Sequence, residues 1–396
     1  MCLTATEECP SGRPLLRWIA SDITASSSLV GPVRLNREIT MVATSIHIAL
    51  FLDYMSSPDL MSNTLFVLLD GAEDHPNPLL NGLKPYEAAE MPFLESKACH
   101  RYTTTGRAYT HLFLNEFFTG HPPEMSRAAI EAMGVGLLDI KDPGRTAYRL
   151  SPAEISGGMI HWSYHADEFK DRLIPIVDSN LEILKDYNPQ IRYFIGGRAI
   201  LTMDSDFVPE LPGPPADAPL VRIPGKLGEF VRAVWEDMGG ITDYPWGCGK
   251  FGRQYDIVPG ISNMKVVSNS PTALGVCASL GCEFEHVEEV EDRFPVAREA
   301  LEKGDVFLHI DEVDEYSHQK DPFKKKGVLE LTDRLMEEYF SDVDNIIYFV
   351  DHGTSCVTGE HILMNVPLWS TIDLGKPEDE ILPLNKVVEM LLAKKR

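Results

Sequence analysis

The sequence is short of positive charge. Its 396 residues include 36 Lys and Arg against 60 Asp and Glu, which gives a formal net charge of −24. Basic runs are short, as at Lys324–Lys326. A protein that binds nucleic acid or an anionic membrane through charge alone needs a basic surface. We therefore expect neither a nucleic acid nor a membrane among its partners.

The sequence also lacks paired cysteine motifs and long apolar runs. Its seven cysteines are an odd number and form no CxxC motif, which argues against a disulfide framework and a structural zinc knuckle. We therefore expect a reducing, cytoplasmic compartment. The apolar stretch Met41–Met55 is interrupted by His47 and Asp53, so it is too short and too polar to cross a bilayer.

The first 60 residues have an unusual composition. They contain eight Ser and no Lys, and they lead to Met61, which lies just before the apolar run Leu65–Leu69. One interpretation is that translation begins at Met61 and that residues 1–60 are an unstructured extension or a mis-called start. The alternative is a real N-terminal tail.

Three apolar runs indicate the core of the fold. Leu65–Leu69, Val306–Ile310 and Ile346–Val350 each end directly before an aspartate. Their length and continuity are typical of strands that are buried on both faces of a parallel sheet. Helical patterns lie between them, at Phe294–Lys303 and Lys325–Phe340 among others. Alternating strands and helices predict an α/β class with a doubly wound, mostly parallel sheet.

The middle of the chain has a different pattern. Residues 140–210 contain shorter mixed segments, and the proline-rich stretch Val208–Pro219 is typical of a linker. We therefore predict a core formed by residues 61–123 and 213–396. Residues 124–212 would form a smaller inserted α+β domain that covers a substrate.

Six side chains are candidate metal ligands. In an open parallel sheet, ligands bind beyond the carboxyl ends of the strands. Three carboxylates and three imidazoles are expected there: Asp70, Asp314, His318, Asp351, His352 and His361. Mixed oxygen and nitrogen ligands suit manganese, zinc or iron better than calcium. Six ligands are too many for one tetrahedral ion, so we predict two divalent ions, manganese or zinc, of the kind that assist phosphoryl transfer.

Five motifs in order resemble those of a known family. These are LLDG with PYEAA at Leu68–Gly71 and Pro85–Ala89, EAMGVG at Glu131–Gly136, DEYSHQKD at Asp314–Asp321, DHGTSC at Asp351–Cys356 and HILMNVP at His361–Pro367. They resemble motifs of the archaeal-type cofactor-independent phosphoglycerate mutases, of the alkaline phosphatase superfamily. The resemblance extends from residue 64 to about 375 and implies an alkaline-phosphatase-like fold. It also implies that Asp314, His318 and His361 bind one metal ion and Asp70, Asp351 and His352 the other.

The chain departs from this family at the nucleophile. The family has a serine in a PGSD motif, and matching His111–Leu112 to the family's HL pair puts Arg107 in the serine position. An arginine cannot be deprotonated in a protein, so it cannot attack phosphorus. Four threonines are nearby, at 103, 104, 105 and 110. Of these we predict Thr105 as the nucleophile, and Arg107 becomes a candidate phosphate contact.

A second departure concerns phosphate binding. The family's DRRAGR motif corresponds to HWSYHA, His161–Ala166, in this chain, so the expected arginine pair is absent from the sequence there. Arg binds phosphate through two parallel hydrogen bonds, which makes a replacement necessary. The candidates are Arg107, Arg145, Arg149, Arg192 and Arg198.

Several functions fit these observations. The first is a metal-dependent phosphoryl-transfer enzyme that acts on a small acidic phosphorylated metabolite, which need not be phosphoglycerate. The alternatives are a true phosphoglycerate mutase with a displaced nucleophile, a phosphatase or phosphonate-processing enzyme that uses a metal-bound hydroxide, and a non-catalytic metal-binding relative that senses a ligand. The sequence leaves the oligomeric state open.

Overall fold

A computed structural model describes residues 63–394, except residues 140–143, 164–167, 215, 253 and 262. The predicted extension or tail at residues 1–60 lies outside the described residues. The described strands, in chain order, are β1 (Thr64–Leu69), β2 (His100–Thr105), β3 (Thr146–Ser156), β4 (Met159–Trp162), β5 (Gln190–Tyr193), β6 (Ala199–Met203), β7 (Ala218–Pro219), β8 (Ile241–Lys250), β9 (Lys265–Ser268), β10 (Glu283–His286), β11 (Val306–Ile310), β12 (Asn345–Phe349), β13 (Gly353–Thr354), β14 (His361–Ile362), β15 (Asn365–Ser370) and β16 (Ile381–Leu382).

The α-helices of the described residues lie between these strands. They are α1 (Pro85–Ala88), α2 (Pro92–Lys97), α3 (Thr110–Thr119), α4 (Arg127–Gly134), α5 (Lys170–Asn180), α6 (Gly225–Met238), α7 (Pro271–Leu280), α8 (Val290–Leu301), α9 (Glu312–His318), α10 (Pro322–Phe340) and α11 (Leu384–Lys394). Short 3-10 helices lie at Pro78–Leu80, Leu181–Tyr187 and Ile195–Gly197. None of the described helices has the length and apolar character needed to cross a lipid bilayer.

An eight-stranded sheet forms the core, in the order β10-β9-β11-β1-β12-β15-β2-β16. The five strands from β10 to β12 are mutually parallel, and β15 is antiparallel to both of its neighbours. The three apolar runs of the sequence are the central strands β11, β1 and β12. The predicted α/β class with a mostly parallel sheet is therefore confirmed.

Alternate side chains of β1 pack on opposite faces of this sheet. Phe66 and Leu68 belong to one apolar cluster, which includes residues of α3, α4, α7 and α11. Leu65, Val67 and Leu69 belong to a second cluster, which includes residues of α8 and α10. Both faces of the strand are therefore buried, which explains its unbroken apolar sequence and the doubly wound arrangement.

A second, antiparallel sheet is larger than the sequence predicts. Its strand order is β5-β6-β3-β4-β7, and β8 also pairs with β3. β8 pairs with β3 from Ile241 to Lys250, so this sheet extends beyond the predicted boundary at residue 212. α4, which follows the predicted boundary at residue 124, packs on α7 and also contacts β3 and β8. The proline-rich stretch therefore leads to further elements of the second sheet, not back to the core.

Candidate dinuclear metal centre

The six predicted metal ligands lie at the carboxyl ends of neighbouring strands. Asp70 directly follows β1, and Asp351 and His352 follow β12. Asp314 and His318 lie one turn apart on α9, which follows β11, and His361 begins β14. Parallel strands end at the same edge of a sheet, which brings these side chains together from distant parts of the sequence.

Three of them form the Asp70 group, which consists of Asp70, Asp351 and His352. One ligand atom from each lies within 4.8 Å of the others. Nε2 of His352 is 3.3 Å from Oδ1 of Asp70 and 3.3 Å from Oδ2 of Asp351. The backbone N–H of Gly71 donates to Oδ1 of Asp351 at 3.0 Å, so the other carboxylate oxygen faces the centre.

The other three form the Asp314 group, which consists of Asp314, His318 and His361. Oδ2 of Asp314 is 3.0 Å from Nε2 of His318 and 3.7 Å from Nε2 of His361. The two Nε2 atoms are themselves 3.2 Å apart. The rings of His361 and His352 stack with centroids 4.0 Å apart, so the two groups are adjacent.

Hydrogen bonds fix the orientation of all three histidines. Nδ1 of His318 is 2.7 Å from the carbonyl of Gly359, and Nδ1 of His361 is 2.8 Å from that of Ala108. Nδ1 of His352 is 3.1 Å from the Thr354 hydroxyl, which donates to Asp314 and therefore accepts from the ring. Each Nδ1 thus carries the proton, and each Nε2 directs its lone pair into the centre. Metal-binding histidines are oriented in this way.

The residues therefore fit a pair of divalent ions. Among the described residues, none donates a hydrogen bond to the buried Oδ2 of Asp351. Burial and the neighbouring Asp351 and Asp314 raise the pKa of Asp70 well above its ordinary value. A bound cation would stabilise buried carboxylates that lack enough compensating positive charge.

The pKa values of the imidazoles and carboxylates in the centre are shifted in different directions. Burial lowers the pKa of His352 to about 4, so this ring is neutral at pH 7. Burial opposes the charged form of Asp314, but His318 and His361 hold its pKa well below the ordinary value. In turn, Asp314 raises the pKa of His361 against the effect of burial. Metal binding requires a neutral imidazole and an ionised carboxylate, which are the forms that these shifts favour for His352 and Asp314.

Thr110, and not the predicted Thr105, contacts this centre. Thr110 is the first residue of α3, and its hydroxyl oxygen lies 3.1–3.2 Å from the carboxylate oxygens of Asp70. The same oxygen is 3.3 Å from Nε2 of His352. Thr105 instead ends β2, where its hydroxyl accepts a hydrogen bond from Arg107 at 2.9 Å. The helix begins at Thr110, which explains why this hydroxyl reaches the carboxylates.

The side chain of Arg107 is engaged by the scaffold around α3. Its Nε and Nη2 donate to the two carboxylate oxygens of Glu116 at 2.6 and 2.5 Å. Its Nη1 donates to the carbonyls of Thr105 and Gly106. The backbone N–H of Arg107 donates to the carbonyl of Asp351 at 2.7 Å. These contacts give Arg107 a supporting role, and they do not support the predicted phosphate contact.

A row of alternating aromatic rings and guanidinium groups runs from the metal centre to the second sheet. The ring of Tyr109 lies 5.5 Å from that of His361. The guanidinium of Arg127 lies over Tyr109 and over Trp246, and that of Arg149 lies 4.8 Å from Trp246. The row continues through Phe194 to Arg198, whose Nη2 donates to Glu315 beside Asp314 at 2.9 Å. We call these residues the arginine–aromatic row.

The candidate arginines therefore differ in position. Arg149 and Arg198 line one cavity with Ser163, Trp162 and Trp246. Arg127 did not stand out in the sequence, although Glu131 accepts from both Arg127 and Arg149 at 2.7 and 2.8 Å. Arg145 donates to Asp204 and Thr202 in the second sheet. Arg192 lies on the edge strand β5.

Two further residues beside the centre were not among the predicted metal ligands. His309 is fully buried, and its Nε2 is 2.8 Å from Oδ2 of Asp70. Asp311 lies just beyond β11, with a ligand atom within 4.8 Å of Asp70 and His309. His309 lies inside the run Val306–Ile310, so the only signal was a polar residue in an apolar strand. Burial and Arg293 lower its pKa to about 3.

Several known proteins are similar to this chain in sequence. Residues 274–380 match the Metalloenzyme superfamily. The 2,3-bisphosphoglycerate-independent phosphoglycerate mutase of Picrophilus torridus is 24% identical over 365 residues, which are 78% of this chain and 88% of the relative. That of Pyrococcus horikoshii is 25% identical over 363 residues, 77% of this chain and 86% of the relative. The chain resembles the archaeal cofactor-independent phosphoglycerate mutases.

A solved structure shares the fold of this phosphoglycerate mutase-like chain. The PH0037 protein from Pyrococcus horikoshii superposes with a TM-score of 0.60 at 19% identity, over 85% of this chain and 98% of its own. At that identity the likeness concerns the fold alone. The predicted family resemblance is confirmed, and the findings support a metal-dependent phosphoryl-transfer enzyme related to these mutases.

Proposed function

We propose that this protein transfers the phosphoryl group of a small acidic metabolite and that Thr110 is its nucleophile. The observation that carries the proposal is the position of the Thr110 hydroxyl, 3.1 Å from Asp70 and 3.3 Å from His352 at the start of α3. A helix N-terminus presents backbone N–H groups and a positive dipole end to an anion. A phosphate ester bound there would have its phosphorus beside the Thr110 oxygen.

The reaction follows from these positions. Bound in the Asp70 and Asp314 groups, two divalent ions would lower the pKa of the Thr110 hydroxyl and offset charge on the phosphoryl oxygens. The Thr110 proton then passes to solvent. The Thr110 oxygen bonds to phosphorus as the ester P–O bond breaks, and the leaving oxygen takes up a proton from solvent. The product of this half-reaction is a phosphothreonine.

The arginine–aromatic row supports an acidic substrate. It brings the guanidinium groups of Arg127, Arg149 and Arg198 to one side of the metal centre, in a chain whose net charge is −24. Arg127 and Arg149 both donate to the carboxylate of Glu131, which holds the two guanidinium groups close together. Arg binds carboxylates and phosphates in preference to neutral groups. We therefore propose a substrate with a second anionic group.

Two outcomes of the second half-reaction are open to such an enzyme. Water would release phosphate, whereas a second hydroxyl of the same substrate would give an isomer. The names of the relatives favour the isomerase, phosphoglycerate mutase, as the second candidate function. Attack by a metal-bound hydroxide, on a phosphate or a phosphonate, would need no phosphothreonine. A sensor without catalysis would bind metal and leave every phosphate ester intact.

The test combines phosphorus NMR with three variants of the full chain, supplied with manganese. Substrates are 3-phosphoglycerate and a panel of phosphate esters and phosphonates. We expect Thr110→Ala to lower turnover by about three orders of magnitude or more, because the nucleophile is lost. Thr110→Ser keeps the hydroxyl and should remain active, as should the matched control Thr105→Ala. Mass spectrometry of acid-quenched wild type should locate phosphate on Thr110.

Other results would contradict the proposal or decide between the two outcomes of the second half-reaction. Full activity in Thr110→Ala would point to a metal-bound hydroxide. Loss of activity in Thr105→Ala, with Thr110→Ala active, would restore Thr105 as the nucleophile. Formation of 2-phosphoglycerate without loss of phosphate would select the mutase. A wild type that binds manganese and turns over no member of the panel would favour the sensor.

A further inference from the structure

We infer that His309 is a positioning residue that holds Asp70 in its metal-binding orientation without binding an ion itself. The inference rests on the proposed function, because it takes Asp70 as a metal ligand. His309 is fully buried, and Asp70 is its partner at 2.8 Å.

Three neighbouring strands bring the participating residues into line. In the core sheet β9, β11 and β1 lie side by side and are parallel. Ser268 ends β9, His309 lies near the end of β11 and Asp70 directly follows β1. The Ser268 hydroxyl is 2.9 Å from Nδ1 of His309, and Nε2 of His309 is 2.8 Å from Oδ2 of Asp70. All three side chains are buried.

The hydrogen bonds of this row run in one direction. The backbone N–H of Ser270, the residue before α7, donates to the Ser268 hydroxyl at 2.9 Å. We assign the Ser268 proton to the contact with Nδ1 of His309, which lies 2.9 Å from the hydroxyl oxygen. A neutral imidazole that accepts at Nδ1 carries its proton on Nε2. His309 therefore donates to Asp70, which as a carboxylate can only accept.

This arrangement is the reverse of that in the three candidate ligand histidines. His318, His352 and His361 use Nδ1–H to bond to oxygen acceptors, and their Nε2 lone pairs face the centre. In His309 the lone pair faces Ser268, away from the centre. A metal ion needs the lone pair, so the tautomer of His309 is wrong for a ligand.

The bond gives the two oxygens of Asp70 different imidazole neighbours. Oδ2 accepts from His309, and Oδ1 lies 3.3 Å from Nε2 of His352 in the Asp70 group. A carboxylate with one oxygen held in this way cannot rotate, and its other oxygen keeps a fixed place. We therefore assign to His309 the task of presenting Oδ1 of Asp70 to a metal ion.

The competing interpretation is a third cation held by Asp70, His309 and Asp311. Their ligand atoms lie within 4.8 Å of one another, and Nε2 of His309 is 3.9 Å from Oδ1 of Asp311. The Ser268 bond opposes it, because an ion at Nε2 would require the proton to move to Nδ1. The two interpretations predict different numbers of bound ions.

The test is a manganese titration of the full chain. Binding is measured by electron paramagnetic resonance of free Mn²⁺ and by calorimetry. Neither readout needs a substrate. We expect two manganese ions in the wild type. His309→Leu should weaken one of them by about 10- to 100-fold, the usual effect of removing a partner of a metal ligand. The other ion should bind with unchanged affinity, because the Asp314 group is intact.

Two further variants separate positioning from a general structural effect. His309→Gln places an amide N–H near the position of Nε2–H and should restore the affinity of the weakened ion. Ser268→Ala removes the hydroxyl that fixes the tautomer and should weaken the same ion by a smaller factor. Ser279→Ala is the matched control, since this buried serine on α7 donates to the carbonyl of Val276 within its own helix at 2.7 Å.

Each contrary result has its own meaning. Two manganese ions of unchanged affinity in His309→Leu would overturn the positioning role and leave the proposed function intact. Three ions in the wild type, with one lost in His309→Gln, would make His309 a ligand. A wild type that binds no manganese would overturn the proposed function together with this inference. Should His309→Leu fail to fold, Ser268→Ala decides, and affinities equal to those of Ser279→Ala would overturn the role.

Discussion

At the scale of single residues, two stacked histidines carry opposite shifts in pKa. The rings of His352 and His361 are 4.0 Å apart. Burial lowers the pKa of His352 to about 4, whereas Asp314 overcomes burial and raises the pKa of His361 above 6.5. The pKa of Asp314 itself lies well below its ordinary value. In the metal-free Asp314 group, His361 therefore takes up a proton before Asp314 does as the pH falls.

We predict a matching pH dependence of manganese binding. A proton on His361 competes with the ion, so the affinity should fall as the pH falls, starting above pH 6.5, the ordinary value for His361. One competing proton lowers the apparent affinity by about tenfold for each pH unit below the pKa. Manganese titration between about pH 8 and pH 5 measures this slope. Affinity that does not change over this range would contradict the assignment of His361.

A second residue-scale prediction concerns Asp243 on β8. It is fully buried, and neither carboxylate oxygen has a hydrogen-bond partner among the described residues. Burial raises its pKa well above 3.8, so the folded state binds the proton more tightly than the unfolded state. The free energy of unfolding should therefore decrease as the pH rises from 3.8 towards the raised pKa.

Asp243→Val should remove this decrease. At pH 7 it should also raise the free energy of unfolding by about 1–3 kcal/mol, because an unpaired buried polar group is replaced by an apolar one. Urea unfolding at several pH values measures both effects. Asp171→Val, at an exposed position on α5, is the control and should keep the pH profile of the wild type. Destabilisation by Asp243→Val would mean that the carboxyl group has a favourable role.

The sequence predicted the positions of the candidate metal ligands better than that of the hydroxyl beside them, for a physical reason. Asp70, Asp351 and His352 follow apolar strands, and the end of such a strand can be recognised from its composition. Thr110 depends on where α3 begins, and Tyr109 has no side-chain capping bond that would have marked the start. His309 could not be recognised as a site residue from the sequence, because its partners Ser268 and Asp70 lie at the ends of other strands.

At the scale of elements, two glycines determine how closely α4 and α7 pack. A Cβ atom on Gly275 would lie 2.0 Å from the carbonyl oxygen of Ile130, and one on Gly134 would lie 2.2 Å from that of Pro271. These separations are far below van der Waals contact, and both neighbours are backbone atoms of the opposing helix. The close crossing therefore requires glycine at both positions.

Gly275→Ala should push the two helices apart. We expect a loss of about 1–3 kcal/mol in the free energy of unfolding, the usual cost of overpacking. Gly327→Ala on α10 is the matched control, because nothing lies within 4 Å of its added methyl group. There alanine should stabilise by roughly 0.5–1 kcal/mol, since glycine is a poor helix former. Urea denaturation measures the change in the free energy of unfolding for both variants. Equal changes in Gly275→Ala and Gly327→Ala would contradict the packing argument.

The core sheet was easier to predict than the second sheet. Strands buried on both faces are continuous apolar runs, which is why β1, β11 and β12 stood out. In contrast, β8 contains Asp243, Pro245 and Gly247, residues that are uncommon in strands. Its place in the sheet depends on pairing with β3, which lies far away in the sequence, so the sequence pattern did not assign β8 to the second sheet.

At the scale of the whole molecule, one buried ion pair links the second sheet to the metal centre. Arg198 lies just before β6, and Glu315 lies beside Asp314 on α9. Their side chains are 5% and 14% exposed, and Nη2 of Arg198 is 2.9 Å from Oε1 of Glu315. Removing either partner leaves a buried charge with less compensation, which is costly.

A double-mutant cycle measures this link. Arg198→Ala and Glu315→Ala should each lower the free energy of unfolding by about 3 kcal/mol, with a coupling of about 1–3 kcal/mol. The exposed pair Arg298–Asp342, with partners 34% and 67% exposed, is the control. Its coupling should be no more than about 1 kcal/mol. Equal coupling free energies in the two pairs would mean that burial does not strengthen the Arg198–Glu315 ion pair.

The place of β1 in the core sheet has a consequence for synthesis of the protein. This strand comes first among the described elements, yet its neighbours are β11 and β12, near the other end of the chain. While the ribosome makes the intervening residues, Thr64–Leu69 has neither partner to pair with. An apolar strand that waits in this way is open to aggregation and is a natural substrate for chaperones. The core sheet can close only when most of the chain has left the ribosome.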